Sequence, residues 1–140
     1  MVVGIAVLAT NLVAAAWGAI GWVRKDARAA IVFWPLLRAA QATVVIEAIV
    51  GLLLVARGAS APDGLHIAYG IAPLAISLVS EGMRAAVAQR ELEDVEDVDA
   101  LDRPAQVVLA KRVALAEMGV MTVGALLILT LALRAFQTGG

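Results

Sequence analysis

Two residues between Gln41 and Tyr69 are of types that could carry chemistry. Glu47 is a carboxylate within an apolar run, and His66, the one histidine of the chain, stands at the head of the next apolar run. A neutral imidazole on a membrane helix is a ligand that haem iron accepts, so His66 is a candidate axial ligand. The alternative is an interfacial histidine that hydrogen-bonds the adjacent loop. One histidine supplies at most one axial ligand per chain.

Glu47 lies midway along its apolar run, at the depth where a carboxylate costs most in a bilayer. No basic residue of the sequence falls at this level, and we expect Asn11 of the first run to be its partner. An unpaired carboxylate there should be protonated, because burial disfavours its charged form. A neutral hydrogen bond between two helices, a proton or cation relay, and a contact with a partner subunit remain open for it.

A second group of polar residues lies away from Glu47, near those ends of the apolar runs at which basic residues are concentrated. Its members come from three runs: Arg38, Gln41, Glu81, Arg84 and Glu117. We expect a charge-compensated cluster in which Glu81 and Glu117 each reach an arginine, because pairing inside a bundle removes most of the cost of burial. A site for the headgroup of a substrate is the alternative.

Composition restricts the class of protein. The chain has 140 residues, 62% hydrophobic and 16% charged, and its mean hydropathy is +0.91. Soluble domains have about 45–50% apolar and about 25% charged residues. The absence of cysteine excludes disulfides and thiol catalysis, and one histidine excludes a multi-histidine zinc site within the chain. A net charge of -1 argues against nucleic acid as a partner. We assign no catalytic residue and expect a non-enzyme.

Four apolar runs must position these residues, and they predict an all-α integral membrane four-helix bundle with a single domain over 1–140. The predicted spans are 2–23, 39–56, 66–88 and 113–133. At about 1.5 Å per residue, such runs suit a hydrocarbon core about 30 Å thick. The small residues Ala14, Gly18 and Gly21 form a stripe on the first run, which predicts close contact with another helix.

The distribution of basic residues predicts the orientation. Nine of them fall on one side: Arg24, Lys25, Arg28, Arg38, Arg84, Arg90, Arg103, Lys111 and Arg112. Arg57 and Arg134 fall on the other side. Basic residues concentrate on the cytoplasmic side, so we expect both termini outside. We expect the membrane itself to be a bacterial cytoplasmic membrane. The segment 90–104 carries seven acids and is expected to be a solvated cytoplasmic linker or a short helix.

One stretch resembles a known family. Gln41, then Gly51-Leu-Leu-Leu-Val, Gly58-Ala-Ser-Ala-Pro and His66 are similar to the helix–loop–helix of haem A synthases, in which each half is a four-helix bundle. The resemblance implies haem binding through paired histidines, with His66 as one ligand. The fourth run of this chain has no second histidine. The pattern Leu65-His66-x-x-Tyr69-Gly70 also resembles small four-helix membrane proteins of unknown function from actinobacteria.

These features lead to three functional hypotheses. The first is an accessory or assembly subunit of a larger membrane complex, for example a respiratory one, with a protein partner or a second copy bound within the bilayer. The second is a haem-binding or haem-handling membrane protein that uses His66. The third is a small proton or cation transporter centred on Glu47. The sequence leaves these alternatives open.

Overall fold

A computed structural model describes residues 2–59 and 64–138 of the chain, and the side chains of all of these except 64–67 and 138. Its elements are α1 (Val2–Val23), a short 3-10 helix (Ala27–Ala29), α2 (Ala30–Ala56), α3 (Gly64–Leu92) and α4 (Arg103–Thr138). The described residues form no strand, and the predicted all-α four-helix architecture is confirmed.

The first predicted span coincides with α1, whereas the other three helices are longer than the predicted spans. α2 begins at Ala30 rather than at 39, α3 ends at Leu92 rather than at 88, and α4 begins at Arg103 rather than at 113. Hydropathy marks the part of a helix that suits lipid, while Lys, Arg, Glu and Gln continue the helix into water because they are good helix formers. All four helices are long and apolar enough to cross a membrane.

The acidic loop is shorter than predicted and is not a helix. It comprises residues 93–102, which form turns and bends between α3 and α4. Asp102 caps α4, because its Oδ1 accepts a hydrogen bond from the Ala105 backbone N–H at 3.0 Å. The Gln106 amide nitrogen donates to the carbonyl oxygens of Val98 at 3.1 Å and Leu101 at 3.2 Å. The linker is therefore held against the first turn of α4.

α4 packs extensively against α1 and α3, whereas α2 packs chiefly against α1. α2 meets α4 through a small core of buried side chains. That core contains Phe33 and Leu37 from α2 and Met118 and Met121 from α4. A second core, nearer the other end of the bundle, contains Val7, Val44 and Ile128. α2 makes few contacts with α3 and with α4 compared with those it makes with α1.

The small-residue stripe of α1 faces α4 and α2, as predicted. Ala14, Gly18 and Gly21 are all buried. A Cβ atom added at Gly18 would overlap the hydroxyl oxygen of Thr122 and would lie 2.6 Å from Cε2 of Phe33. Only a residue without a side chain lets the three helices approach this closely, which is how small residues replace the missing hydrophobic drive for association in lipid.

α1 and α2 end in the same hydrogen-bonded motif with different residues at its left-handed position. At the end of α1, Lys25 has a φ of 52° and the backbone N–H of Asp26 donates to the carbonyl of Gly21 at 2.9 Å. At the end of α2, Gly58 has a φ of 87° in the equivalent position. Glycine is the usual residue there because it has no Cβ to clash. A lysine at Lys25 is thus held in a conformation that favours glycine.

The glycine contact yields a stability prediction. Gly18→Ala is expected to lower the free energy of unfolding by about 1–3 kcal/mol, because the new methyl group overpacks the contact among α1, α2 and α4. Gly51→Ala is the matched control, since nothing lies within 4 Å of a Cβ there. Unfolding in mixed micelles followed by circular dichroism measures both. Equal stability of the two variants would contradict the close contact.

A second prediction concerns Thr122. Its hydroxyl oxygen is buried and has no hydrogen-bond partner among the residues that the structure describes. Thr122→Val keeps the shape and removes this unpaired group, so we expect the free energy of unfolding to rise by about 1 kcal/mol. The same unfolding assay measures it. A loss of stability would show that the hydroxyl is hydrogen-bonded in the folded protein.

Candidate functional site

Glu81 of α3 is the centre of a cluster of polar side chains near the basic end of the bundle. Its Oε1 accepts hydrogen bonds from Arg38 Nη1 at 2.5 Å and from Gln41 Nε2 at 2.8 Å, both on α2. Its Oε2 accepts from Arg84 Nε at 2.8 Å, one turn along α3. One carboxylate therefore binds three donors from two helices.

Arg84 extends the cluster to the third helix. Its Nη1 donates to Glu117 Oε1 of α4 at 2.9 Å, while its Nε contacts Glu81. The five predicted members thus lie together, and each glutamate reaches an arginine as expected. Two arginines and two glutamates leave no net charge, which lowers the cost of keeping these groups within the apolar helices.

Trp34 of α2 also belongs to the cluster. The guanidinium carbons of Arg38 and Arg84 lie 5.9 Å and 5.6 Å from the centre of its ring. These distances are within the range of cation–π attraction. The spacing of Trp34 and Arg38, four residues apart on one helix, is the signal that could have revealed the first of these contacts.

The internal pairing determines what the cluster can do. Both oxygens of Glu81 are occupied, and Arg84 is shared between two carboxylates. The Arg38 side chain is 54% exposed, and its Nη1 donates hydrogen bonds to both Glu81 and Gln41. A headgroup would have to compete with these carboxylates for the arginines. The geometry therefore favours a role in holding α2, α3 and α4 together over binding of a substrate headgroup.

The polar contact between α1 and α2 differs from the predicted one. The hydroxyl oxygens of Thr10 and Thr43 lie 3.0 Å apart and are hydrogen-bonded. The amide nitrogen of Asn11 donates instead to the carbonyl of Val7 at 2.9 Å, within α1. The predicted pair of Asn11 with Glu47 is wrong, because the Thr10–Thr43 register places Glu47 one turn beyond Asn11.

Glu47 lies at the level of the first turn of α1. Its Oε1 is 3.4 Å from the position that a Cβ would occupy at Gly4. Its side chain is partly exposed, and no hydrogen bond to its carboxylate joins it to another described residue. α2 continues for about 13 Å past Glu47 to Ala56. A proton relay would need a second ionisable group in hydrogen-bond contact with Glu47. No such group is found among the described residues.

His66 is placed only by its backbone. That backbone belongs to the first turn of α3, and the side chain lies outside the described residues. The expected haem ligand therefore stays a prediction. Among the residues that the structure describes, no group of three or more His, Cys, Asp or Glu side chains is arranged to hold a metal ion.

Comparisons with known proteins add no relative. Neither protein-family models, nor curated proteins, nor solved structures match the chain. The resemblance to haem A synthases stays a prediction based on the residues from Gln41 to Gly70.

The cluster yields a prediction with a matched control. Glu81→Gln is expected to lower the free energy of unfolding by about 1–2 kcal/mol, because it removes a carboxylate bound by three donors. Glu91→Gln is the control, since the Glu91 side chain is 28% exposed, close to the 27% of Glu81, but pairs with Arg112 alone. It should cost less than about 1 kcal/mol. Equal losses in the unfolding assay would contradict a central role for Glu81.

Proposed function

We propose that the chain is a non-enzymatic accessory or assembly subunit of a larger membrane complex, and that its partner binds along the outer half of α2. The observation that carries the proposal is Glu47. It is a partly exposed carboxylate on an apolar helix, with no hydrogen-bond partner among the described residues. A carboxylate at membrane depth is costly unless a polar group meets it.

The surroundings of Glu47 support a protein partner. Val45, Ile46 and Ile49 are 44%, 51% and 52% exposed, so an apolar surface flanks the carboxylate. Lipid tails satisfy such side chains but offer no hydrogen-bond donor to Glu47. A helix of another subunit offers both, because helices in lipid associate through close packing and a few interhelical hydrogen bonds.

The length of α2 also supports a partner surface around Glu47. α1 meets Glu47 at Gly4, near its own first turn, and α2 continues beyond this level. Residues 49–59 are all exposed. An apolar helical segment beside a carboxylate that has no hydrogen-bond partner among the described residues is a surface on which a second membrane protein could pack.

The arrangement of the loops supports the proposed orientation in a bacterial cytoplasmic membrane. The loop between α1 and α2 carries Arg24, Lys25 and Arg28, and the acidic loop joins α3 to α4 at the same end of the bundle. Basic residues next to membrane-spanning helices favour the cytoplasmic side. Both charge-rich loops are therefore proposed to be cytoplasmic.

Photo-crosslinking in the source cell tests the partner contact. A photoreactive residue at Ile46 should give one discrete product with a different membrane protein. The same residue at Leu78 of α3, which is 67% exposed, is the control and should give none. The yield at Ile46 should fall several-fold in Glu47→Leu, because the hydrogen bond is lost, and less in Glu47→Gln, which keeps a polar group.

The alternatives give different products. Crosslinks at Ile46 to lipid alone would contradict the accessory function. A product with the mass of two copies of this chain would replace the foreign partner with a homo-oligomer. Equal yields for Glu47→Leu and the unchanged protein would remove Glu47 from the contact.

A further inference from the structure

An apolar groove runs along the surface between α3 and α4. Its volume is about 530 Å³, and it is open to the surroundings of the bundle. The side chains along it are almost all apolar and include Ile76, Val79, Met83, Val120, Val123 and Leu127. Trp22 of α1 also lines it. The groove is separate from the charge cluster and from the proposed partner surface on α2.

Small residues of α4 shape the groove. A Cβ at Gly124 would overlap the hydroxyl oxygen of Ser80, so α3 and α4 are in close contact there. A Cβ at Gly119 would lie 2.8 Å from the indole nitrogen of Trp22, so the indole lies directly over this glycine. Trp22 therefore closes one side of the groove near the basic end of the bundle.

The dimensions favour a single hydrocarbon chain as the occupant. The lining residues of α3 extend from Ala75 to Val87, which corresponds to about 18 Å along the helix. The groove is open along one side and its lining is almost entirely apolar. One flexible acyl chain can lie along it.

Positive charge lies at the end of the groove marked by Trp22. Arg24 and Lys25 follow Trp22 in the chain, with Val23 between them and the tryptophan, and both are exposed. Lys25 occupies a left-handed position where Gly58 stands in the equivalent motif of α2, so a cation is present where glycine would be less strained. Exposed cations beside a membrane attract anionic lipids.

We propose that the groove between α3 and α4 binds one acyl chain of an anionic phospholipid, with the headgroup phosphate at Arg24 and Lys25. The apolar lining holds the chain, Trp22 lies at the level of the headgroup–chain boundary, and the two basic side chains bind the phosphate. Tryptophan favours this interfacial depth. The lipid belongs to the leaflet on the basic side of the bundle.

Fluorescence of Trp22 tests the proposal. Trp17→Phe with Trp34→Phe leaves Trp22 as the single tryptophan of the full chain. In mixed micelles, a low mole fraction of brominated phosphatidylglycerol should quench it several-fold more than the same fraction of brominated phosphatidylcholine. Val123→Phe should abolish this excess by filling the groove. Leu126→Phe is the matched control, because Leu126 is similarly exposed on α4 but does not line the groove.

Charge variants complete the test. Arg24→Gln with Lys25→Gln should reduce quenching by the anionic lipid to the level of the zwitterionic one. Arg57→Gln with Arg103→Gln removes the same charge away from the groove and should leave the excess intact. Equal quenching by both lipids in the single-tryptophan protein would overturn the proposal. So would an excess that survives Val123→Phe, since the lipid would then lie outside the groove.

Discussion

The close approach of α1 to α4 at Gly18 is the contact on which the rest of the bundle depends. In lipid, the hydrophobic effect does not drive helices to associate. Close packing of their side chains holds them together and therefore sets their alignment. Gly18 admits the Thr122 hydroxyl and the Phe33 ring, which aligns α1 with α4 and α2 together. Four residues later, the same alignment lays Trp22 over Gly119 and so forms the side of the apolar groove.

The charge cluster connects α3 to α2, a helix with which α3 has few other contacts. α3 packs mainly on α4 and has few contacts with α2. Glu81 and Arg84 connect it to both, through Arg38 on α2 and Glu117 on α4. Ion pairs of this kind add modestly to stability, because bringing the charges out of water offsets much of their attraction. They do select one alignment, since a shift of one turn would leave charges unpaired in an apolar setting.

The sequence predicted what depends on composition and on the periodicity of one helix. The four helices, the buried stripe through Ala14, Gly18 and Gly21, and the pairing of Glu81 with arginine follow from such local patterns. The partner of Asn11 did not, because counting depth from the ends of apolar runs assumes that neighbouring helices begin at the same level. α2 is longer than α1, and the Thr10–Thr43 hydrogen bond sets a register that hydropathy does not encode.

The two proposed binding surfaces make different chemical demands on their neighbours. Glu47, where α2 meets the start of α1, needs a hydrogen-bonding group within an apolar surface. The groove between α3 and α4 needs an apolar chain with an anionic end, because its lining is apolar and its basic end carries Arg24 and Lys25. A phospholipid tail offers no hydrogen-bonding group to Glu47. The proposed protein partner and the proposed lipid would therefore bind at different surfaces of the bundle.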